Sequence, residues 1–185
     1  MITEKEKMLS GLMFNSEEET LIKERAKCKK LCHEYNNTAP DEQDRRLEIL
    51  HALLGKIDGE VVIEPSFRCD YGYNIEVGKN FFANYNLVIL DTSKVKFGDY
   101  AFIGPNCSFY PPQHPLDAET RNTYLEYSKP ITVGNNVWLG GSVTVLGGVT
   151  IGDNCVIGAG SVVTKSIPPN SVAVGNPCKV IKTLP

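Results

Sequence analysis

The amino-acid sequence predicts an all-β solenoid, built from stacked three-sided coils, that follows an α-helical N-terminal segment and carries one protruding loop. Three observations lead to this fold class: a six-residue repeat in the second half of the 185-residue chain, a shift to β-branched residues, Gly and Asn near residue 60, and helical spacing of apolar residues before that point. We therefore divide the chain into a helical segment over residues 1–58 and a solenoid domain over residues 59–185, which includes a loop at 110–130 and a C-terminal tail.

The N-terminal segment shows start and stop signals for helices. Residues 16–19 match a capping box, in which the Ser16 hydroxyl caps the helix and a carboxylate three residues later returns the hydrogen bond. Apolar residues then recur at helical spacing to about residue 36, at Leu21, Ile22, Ala26, Cys28, Cys32 and Tyr35. Pro40, followed by two acids, predicts the start of a second helix that Gly55 ends, with an apolar stripe at Leu47, Leu50 and Leu54. A shorter helix is expected within residues 4–12.

The six-residue repeat emerges on counting from Val133, since every sixth residue is aliphatic: Val133, Leu139, Val145, Ile151, Ile157 and Val163. Glycine follows four of these six residues, and the fourth place after each is apolar or small. This period fits neither an α-helix nor an alternating strand, but it fits short strands joined by tight turns, with the aliphatic residue inside and Gly at the turn. The same period recurs over residues 97–109 and, offset by two residues, over 77–89, so we expect about five coils within residues 77–168.

Residues 110–130 do not fit the repeat, although the spacing across them remains a multiple of six. Interior positions would fall on Pro115, Arg121 and Tyr127, and the prolines of this segment remove donors that a strand ladder needs. We interpret the segment as a loop that leaves the solenoid, and long loops in compact repeats are usually functional. It carries His114, the one histidine outside the helical segment, whose imidazole makes it the candidate general base.

Charge and composition exclude several classes of protein. Asp and Glu number 22 against 19 Lys and Arg, which gives a net charge of −3 and no basic excess for nucleic acid or an anionic membrane. No apolar stretch is long enough to span a bilayer, and the acidic N-terminus does not resemble a signal peptide, so we expect a cytoplasmic protein. The six cysteines form no CxxC pair. Cys28 and Cys32, beside His33, form the only close pair, and we interpret them as small core residues rather than metal ligands.

Several motifs resemble those of the hexapeptide-repeat acyltransferases, in particular the maltose and galactoside O-acetyltransferases. They are the repeat itself, the His114-Pro115 and Arg121-Asn122 pairs of the loop, and the segments 69–72 (Cys-Asp-Tyr-Gly), 84–86 (Asn-Tyr-Asn) and 174–181 (Val-Gly-Asn-Pro-Cys-Lys-Val-Ile). The resemblance implies a left-handed parallel β-helix and a homotrimer with each active site between two subunits. It also implies acetyl transfer from acetyl-CoA to a sugar hydroxyl, with a maltose or glucose type of acceptor favoured, and no metal.

The resemblance assigns roles to individual residues. His114 would act as the general base, with Glu126 or a backbone carbonyl orienting its imidazole. The residues implied for coenzyme A are Trp138, Gly141, Ala159, Thr164, Lys165, Lys179 and Lys182, and the backbone N–H of Gly141 would stabilise the oxyanion. The residues implied for the acceptor are Arg25, Asp70, Asn84 and Asp91, since these side chains offer the paired donors and acceptors that a sugar needs.

Two departures from the galactoside-type pattern bear on the acceptor. Residues 15–17 (Asn-Ser-Glu) stand where those enzymes carry an acid, and Thr92 replaces a second acid after Asp91, so both changes favour a maltose-type or other acceptor. Two alternatives remain, a xenobiotic or antibiotic O-acetyltransferase on the same fold and a non-catalytic trimeric module. A γ-type carbonic anhydrase would need three histidines on the coils to hold zinc, and the coils contain none.

Overall fold

The computed structural model describes residues 2–185. Its helices are α1 (Glu4–Leu9), α2 (Glu19–Asn37), α3 (Gln43–Leu53) and α4 (Ala118–Arg121). Its strands are β1 (Phe14–Asn15), β2 (Lys56–Ile57), β3 (Val61–Ile63), β4 (Phe67–Cys69), β5 (Ile75–Val77), β6 (Phe81–Ala83), β7 (Leu87–Ile89), β8 (Val95–Phe97), β9 (Phe102–Ile103), β10 (Ser108–Tyr110), β11 (Pro112–Gln113), β12 (Leu125–Ser128), β13 (Ile131–Val133), β14 (Trp138–Leu139), β15 (Thr144–Leu146), β16 (Thr150–Ile151), β17 (Val156–Ile157), β18 (Val162–Val163), β19 (Ser171–Val174) and β20 (Lys179–Thr183). Met1, the first residue of the predicted helical segment, lies outside the described residues.

Most of the strands form three parallel sheets, which are the three faces of a β-solenoid of about 6 turns. The first face contains β2, β5, β8, β13 and β16, the second contains β3, β6, β9, β14, β17 and β19, and the third contains β4, β7, β10, β15 and β18. Each strand pairs in parallel with the strand one coil away. The predicted solenoid is therefore confirmed, but it starts at Lys56, earlier than the repeat indicates.

The early coils are longer than the later ones. On the second face Ile63 pairs with Ala83, a separation of 20 residues, whereas Trp138 pairs with Val156, a separation of 18. The additional two residues lie in the corners between the third and first faces, at 70–74 and 90–94. These long corners produce the two-residue offset in the repeat, and they hide the first coils from a count in sixes.

The interior is filled by the residues that the repeat places inside. All six aliphatic residues counted from Val133 are buried, as are the small or apolar residues at the fourth place after each. In the early coils aromatic rings take over, and the ring of Phe97 lies 4.9 Å from those of Phe81 and Phe109. At the turn that follows, a Cβ on Gly98 would lie 2.7 Å from the carbonyl carbon of Gly134 in the next coil, so the close stacking of turns requires glycine there.

The helices close the first end of the solenoid. Helix α2 packs on β4 and α3, and its buried residues Cys28, Cys32 and Tyr35 join the same apolar core as the coils. The side-chain amide of Asn36 donates to the carbonyl of Phe67 at 2.9 Å and its oxygen accepts from the N–H of Phe67 at 2.8 Å. This pair of hydrogen bonds satisfies backbone groups of β4 that have no preceding coil to bond with. At the other end, β20 pairs antiparallel with β19.

The helix boundaries differ from the predicted ones in physical detail. Glu18, not Ser16, caps α2 by accepting from the N–H groups of Thr20 and Leu21, because Ser16 is bonded to the loop. Helix α3 begins at Gln43 rather than at Pro40, with Glu42 at its N-cap. Helix α1 ends at Leu9, within the predicted range. In the predicted stripe Leu50 and Leu54 are buried, whereas Leu47 is exposed, and Ile49 and Leu53 complete the buried face.

The predicted loop is an ordered arm, which we define as residues 111–130. Strands β11 and β12 pair antiparallel as a hairpin, and α4 lies between them. The arm leaves the third face after Tyr110 and returns to the first face at Ile131. It therefore replaces, in the third coil, the corner that the first two coils form with residues 70–74 and 90–94.

The cysteines are buried and unpaired by disulfides, which agrees with their interpretation as core residues. Within residues 2–185, none of the helices has the length and apolar character needed to cross a lipid bilayer.

Candidate active site

Four of the predicted residues, His114, Glu126, Asp70 and Asp91, lie along one edge of the solenoid, where the third face meets the first, and we call it the site edge. Its first three corners are residues 70–74, residues 90–94 and the arm. Because the corners stack coil upon coil, side chains distant in sequence become neighbours in space. The site edge therefore carries both the irregular coil lengths and the polar residues.

His114 follows β11 near the base of the arm, and its side chain is exposed. It lines an open cavity of about 770 Å³ between the arm and the third face, which we call the arm cavity. Glu126 of β12 and Asp70 of the first long corner line the same cavity, so the structure brings these three predicted residues together. The other walls include apolar and aromatic side chains: Val88, Leu90, Tyr110, Leu116, Tyr127 and Leu146.

The orientation of the imidazole is not fixed by Glu126 in this structure. Among residues 2–185 no hydrogen bond joins Glu126 to His114, although both face the arm cavity. Arg121 instead acts on the backbone beside the histidine, because its guanidinium donates to the carbonyl oxygens of Pro115 at 3.1 Å and Leu116 at 3.2 Å. These two bonds hold the turn that presents His114.

Asp91 lies behind the arm cavity rather than in it, since its side chain is fully buried. One carboxylate oxygen accepts from the N–H groups of Asp70 at 3.0 Å and Tyr71 at 2.9 Å, and the other accepts from the N–H of Asn74 at 3.3 Å. Burial raises the pKa of Asp91 to about 6. The carboxylate thus holds the long corner 70–74 and positions Asp70, and it has no exposed oxygen left for an acceptor.

Asp70 lies on the floor of the arm cavity, and Arg25 lies near it without lining the cavity. Burial raises the pKa of Asp70, and the nearby Arg25 guanidinium works against that rise. Arg25 reaches this position from α2, where it donates to the hydroxyl of Tyr71 at 2.9 Å and pairs with Glu17 at 3.2 Å. The cavity therefore offers two carboxylates, an imidazole and a neighbouring guanidinium beside apolar walls, a combination suited to a ligand with several hydroxyl groups.

The arm is fastened at two points that the sequence does not reveal. At its root the hydroxyls of Thr92 and Ser128 are hydrogen-bonded at 2.7 Å and buried. Further out, Phe14 of β1 pairs antiparallel with Glu126, and both the N–H and the hydroxyl of Ser16 donate to the carbonyl of Tyr124 at 3.2 Å. Ser16 and Thr92, which mark departures from the galactoside-type pattern, thus hold the arm in place.

Three of the remaining predicted residues lie on a different edge. Asn84, Trp138 and Gly141 line a groove of about 540 Å³ where the second face meets the third, which we call the Trp138 groove. The indole of Trp138 is 57% exposed. Among the described residues the N–H of Gly141 donates to no protein acceptor, and a Cβ there would meet nothing closer than 3.4 Å. The groove thus presents a free backbone donor beside an exposed aromatic surface.

The other residues predicted for coenzyme A are spread over both edges. Ala159 stacks beside Gly140 in the corner above the Trp138 groove. Thr164 and Lys165 are exposed in the last corner of the site edge, and Lys179 and Lys182 are exposed on β20. The strands of the third face separate the two edges by roughly 10 Å or more. One chain therefore does not bring the Trp138 groove and the arm cavity together.

Two family descriptions match the chain. The maltose acetyltransferase hexapeptide capping motif matches residues 7–59, and the bacterial transferase hexapeptide (six repeats) matches residues 130–165. A galactoside O-acetyltransferase of Escherichia coli is 43% identical over 97% of this chain and 88% of its own length. The chain belongs to the family of maltose and galactoside O-acetyltransferases. As a member of this family of hexapeptide-repeat proteins, it is an acetyltransferase.

Solved structures of the family share the whole fold. A maltose O-acetyltransferase from Clostridium difficile is 54% identical, with a TM-score of 0.98 over 100% of this chain and 98% of its own. A galactoside acetyltransferase in complex with coenzyme A is 42% identical, with a TM-score of 0.96 over 100% of this chain and 92% of its own. The helical cap and the arm are therefore features that this chain has in common with these maltose and galactoside acetyltransferases.

Proposed function

We propose that this acetyltransferase moves the acetyl group of acetyl-CoA to a hydroxyl of a sugar, with His114 as general base. The observation that carries the proposal is the position of His114, which an anchored arm holds over a cavity that has two carboxylates and apolar walls. Such walls suit a sugar ring, whose faces are apolar and whose rim carries hydroxyl groups. The coenzyme A complex of the related galactoside acetyltransferase supports the choice of donor.

The proposed chemistry is direct attack on the thioester. His114 removes the proton of the acceptor hydroxyl as its oxygen forms a bond to the acetyl carbonyl carbon. The resulting oxyanion is stabilised by a backbone N–H, and the free N–H of Gly141 is the donor best placed for this role. When the tetrahedral intermediate collapses, the carbon–sulfur bond breaks and the thiolate of coenzyme A takes the proton from the imidazolium. Glu126 is proposed to orient the imidazole once substrates are bound.

The proposed active site is completed by a second subunit. The arm cavity holds His114, Asp70 and Glu126, whereas the Trp138 groove holds Asn84 and the Gly141 donor, and the third face separates them. An apolar column runs along the second face through Val62, Phe82, Phe102, Trp138 and Val156, which are aligned by strand register. Three of its members are about half exposed, so the column suits burial against another copy. We propose a homotrimer in which the groove of one subunit meets the arm cavity of its neighbour.

Coenzyme A is proposed to lie along the groove between subunits. Trp138, Gly141 and Ala159 would contact the pantetheine arm, and Thr164, Lys165, Lys179 and Lys182 would meet the phosphates, because exposed ammonium groups suit phosphate. Asp70, Asn84 and Arg25 would bind the acceptor, whereas Asp91 positions Asp70 from the interior.

Release of coenzyme A with a panel of acceptors tests the proposed function. We expect wild-type protein with acetyl-CoA to acetylate glucose and maltose at rates at least tenfold above the hydrolytic background. Galactosides should react more slowly, because Thr92 and Ser16 hold the arm at positions where the galactoside-type pattern has acids. The release of free thiol and the mass of the product are both measured. Acetylation confined to antibiotic hydroxyls would assign the xenobiotic alternative, and no acetylation of any acceptor would refute the proposal.

Mixed oligomers test the division of the site between subunits. Chains that carry His114→Ala and chains that carry Asn84→Ala are each expected to be nearly inactive alone. Each site needs an intact groove from one subunit and an intact arm cavity from its neighbour. When the two chains are co-expressed in equal amounts, half of the grooves and half of the arm cavities are intact, so about a quarter of the sites should be active. The matched control pairs His114→Ala with Asp70→Ala, which line the same cavity of one chain and should recover nothing. Activity no greater than that of the separate variants would place the whole site in one subunit.

A further inference from the structure

Three of the six cysteines converge on one point between α2 and the solenoid. Cys28 and Cys32 are one helical turn apart on α2, so both thiols face β4, and Cys69 ends that strand. The sulfur of Cys69 lies 3.5 Å from that of Cys28 and 3.7 Å from that of Cys32. All three sulfurs lie within 4.8 Å of one another, and all three residues are buried.

The other cysteines show what isolated core thiols do in this protein. Cys107 donates to the carbonyl of Gly140 at 3.2 Å, and Cys155 donates to the carbonyl of Pro168 at 3.1 Å. Within the described part of the chain, the hydrogen bonds of these two thiols go only to backbone carbonyls. The cluster of Cys28, Cys32 and Cys69 differs, because its thiols face one another as well as the backbone. Filling a core requires only small apolar groups, and it does not require three sulfurs at a common point.

We propose that the cluster of Cys28, Cys32 and Cys69 binds one soft, thiophilic metal ion. Thiolates are the ligands that Zn²⁺ and Cu⁺ prefer. A zinc–sulfur distance of about 2.3 Å in a tetrahedron separates neighbouring sulfurs by about 3.8 Å. The separations of 3.5 and 3.7 Å are close to that value, so an ion fits with small adjustments of side-chain torsion.

Ligation is balanced by loss of protons. Each thiol that binds the ion releases its proton to solvent, so three thiolates around Zn²⁺ leave one net negative charge. The positive charge of Arg68 favours the thiolate form of Cys32, whereas the negative charge of Asp91 disfavours the thiolate forms of Cys28 and Cys69. For Zn²⁺, the carbonyl oxygen of Cys69, 3.3 Å from the sulfur of Cys28, is a further donor at the cluster.

A bound ion would join α2 of the helical cap to β4, the strand that leads into the floor of the arm cavity. Cys69 points into the core, and Asp70, the next residue, lines the arm cavity. The ion would therefore stabilise α2 against β4 without meeting either substrate. The proposed acetyl transfer needs no such ion, so the metal site and the proposed function succeed or fail separately.

Metal uptake by the reduced full-length protein tests the site. In separate anaerobic arms the protein is titrated with Zn²⁺ or Cu⁺, passed over a desalting column and analysed for metal per chain and thermal midpoint. We expect one ion per chain, a rise in midpoint of several degrees and loss of three titratable thiols. Uptake of Cu⁺ but not Zn²⁺ would indicate a three-coordinate site, and uptake of Zn²⁺ would indicate that the carbonyl of Cys69 or a water completes a tetrahedron.

Variants distinguish the cluster from other thiols. Cys32→Ala and Cys69→Ala should lower retained metal at least tenfold, whereas Cys107→Ala, a matched buried cysteine outside the cluster, should retain it. Circular dichroism checks that each variant is folded. If Cys69→Ala unfolds, Cys32→Ser replaces it in the test, because serine is close to cysteine in size and lacks the sulfur. The proposal is overturned if neither ion is retained by the wild type, or if Cys107→Ala loses as much metal as the cluster variants.

Discussion

Replacement of His114 by alanine is expected to lower kcat for acetyl transfer by about 100-fold or more, because the acceptor hydroxyl then loses its proton to water instead of a positioned imidazole. The fold should be unaffected, since the His114 side chain is exposed and lies outside the apolar core. Release of coenzyme A at saturating acetyl-CoA and acceptor measures the effect. Circular dichroism and the thermal midpoint check the fold.

The matched control is His51→Ala, which removes another exposed imidazole, on α3. It should leave kcat and KM unchanged. Equal rates for wild type and His114→Ala would show that another group takes the proton, and the role proposed for the arm would then be wrong. A similar loss in His51→Ala would instead point to a general effect of removing an imidazole.

Replacement of Asp91 by alanine is expected to lower the free energy of unfolding by about 3 kcal/mol or more, because three buried N–H groups lose their acceptor. Asp91→Asn keeps one oxygen for the N–H groups of Asp70 and Tyr71, so its loss should be smaller. Urea unfolding at neutral pH measures both variants. Wild-type stability in Asp91→Ala would mean that these N–H groups find other partners.

The same residue makes stability depend on pH. Burial raises the pKa of Asp91 to about 6 from an ordinary 3.8, so the folded chain holds a proton that the unfolded chain has released between about pH 4 and pH 6. The stability due to this proton is fully present below about pH 4 and is lost as pH rises to 6, with a slope of at most about 1.4 kcal/mol per pH unit. Asp70, whose pKa burial also raises, adds to this slope.

The pH profile of unfolding in urea separates the two carboxyls. Asp91→Asn cannot titrate, so we expect a flatter profile between pH 4 and 6 in which only the contribution of Asp70 remains. An identical slope in wild type and Asp91→Asn would contradict the assignment of the raised pKa to Asp91. Asp44→Asn, a change at an exposed position of α3, is the control.

The later coils could be predicted from the sequence because each six-residue repeat contains the residues that determine its local geometry. An inward aliphatic residue and a turn glycine are local requirements, and Val133 to Val163 satisfy both in register. The first coil, over residues 56–69, could not, because the long corners at 70–74 and 90–94 interrupt the count in sixes before it reaches this coil. The two-residue offset near Asp91 was the one sign of those corners, and it marks the edge where the arm cavity forms.

For the site, the sequence predicts which types of residue take part but not the contacts that hold them in place. His114 was distinguished by its loop, but nothing in the sequence shows that Ser16 binds the arm or that Thr92 binds its root, because these hydrogen bonds join distant segments. The prediction that Ser16 caps α2 is wrong for the same reason, since its spacing to Glu19 satisfies a local rule. Asp91 was expected among acceptor ligands, and only its burial and three N–H partners reveal its positioning role.

The attachment of Ser16 to Tyr124 joins residues 108 positions apart, whereas neighbouring coils join residues about 20 apart. As the chain leaves the ribosome, each coil can therefore stack on the one before it, while the attachment must wait for the far side of the arm. The proposed base can therefore acquire its final position only after the first three coils, which precede the arm in the chain, have been made. Because β1 pairs with β12 over only two residues, we expect amide hydrogens of β1 and β12 to exchange with solvent before those of the coils.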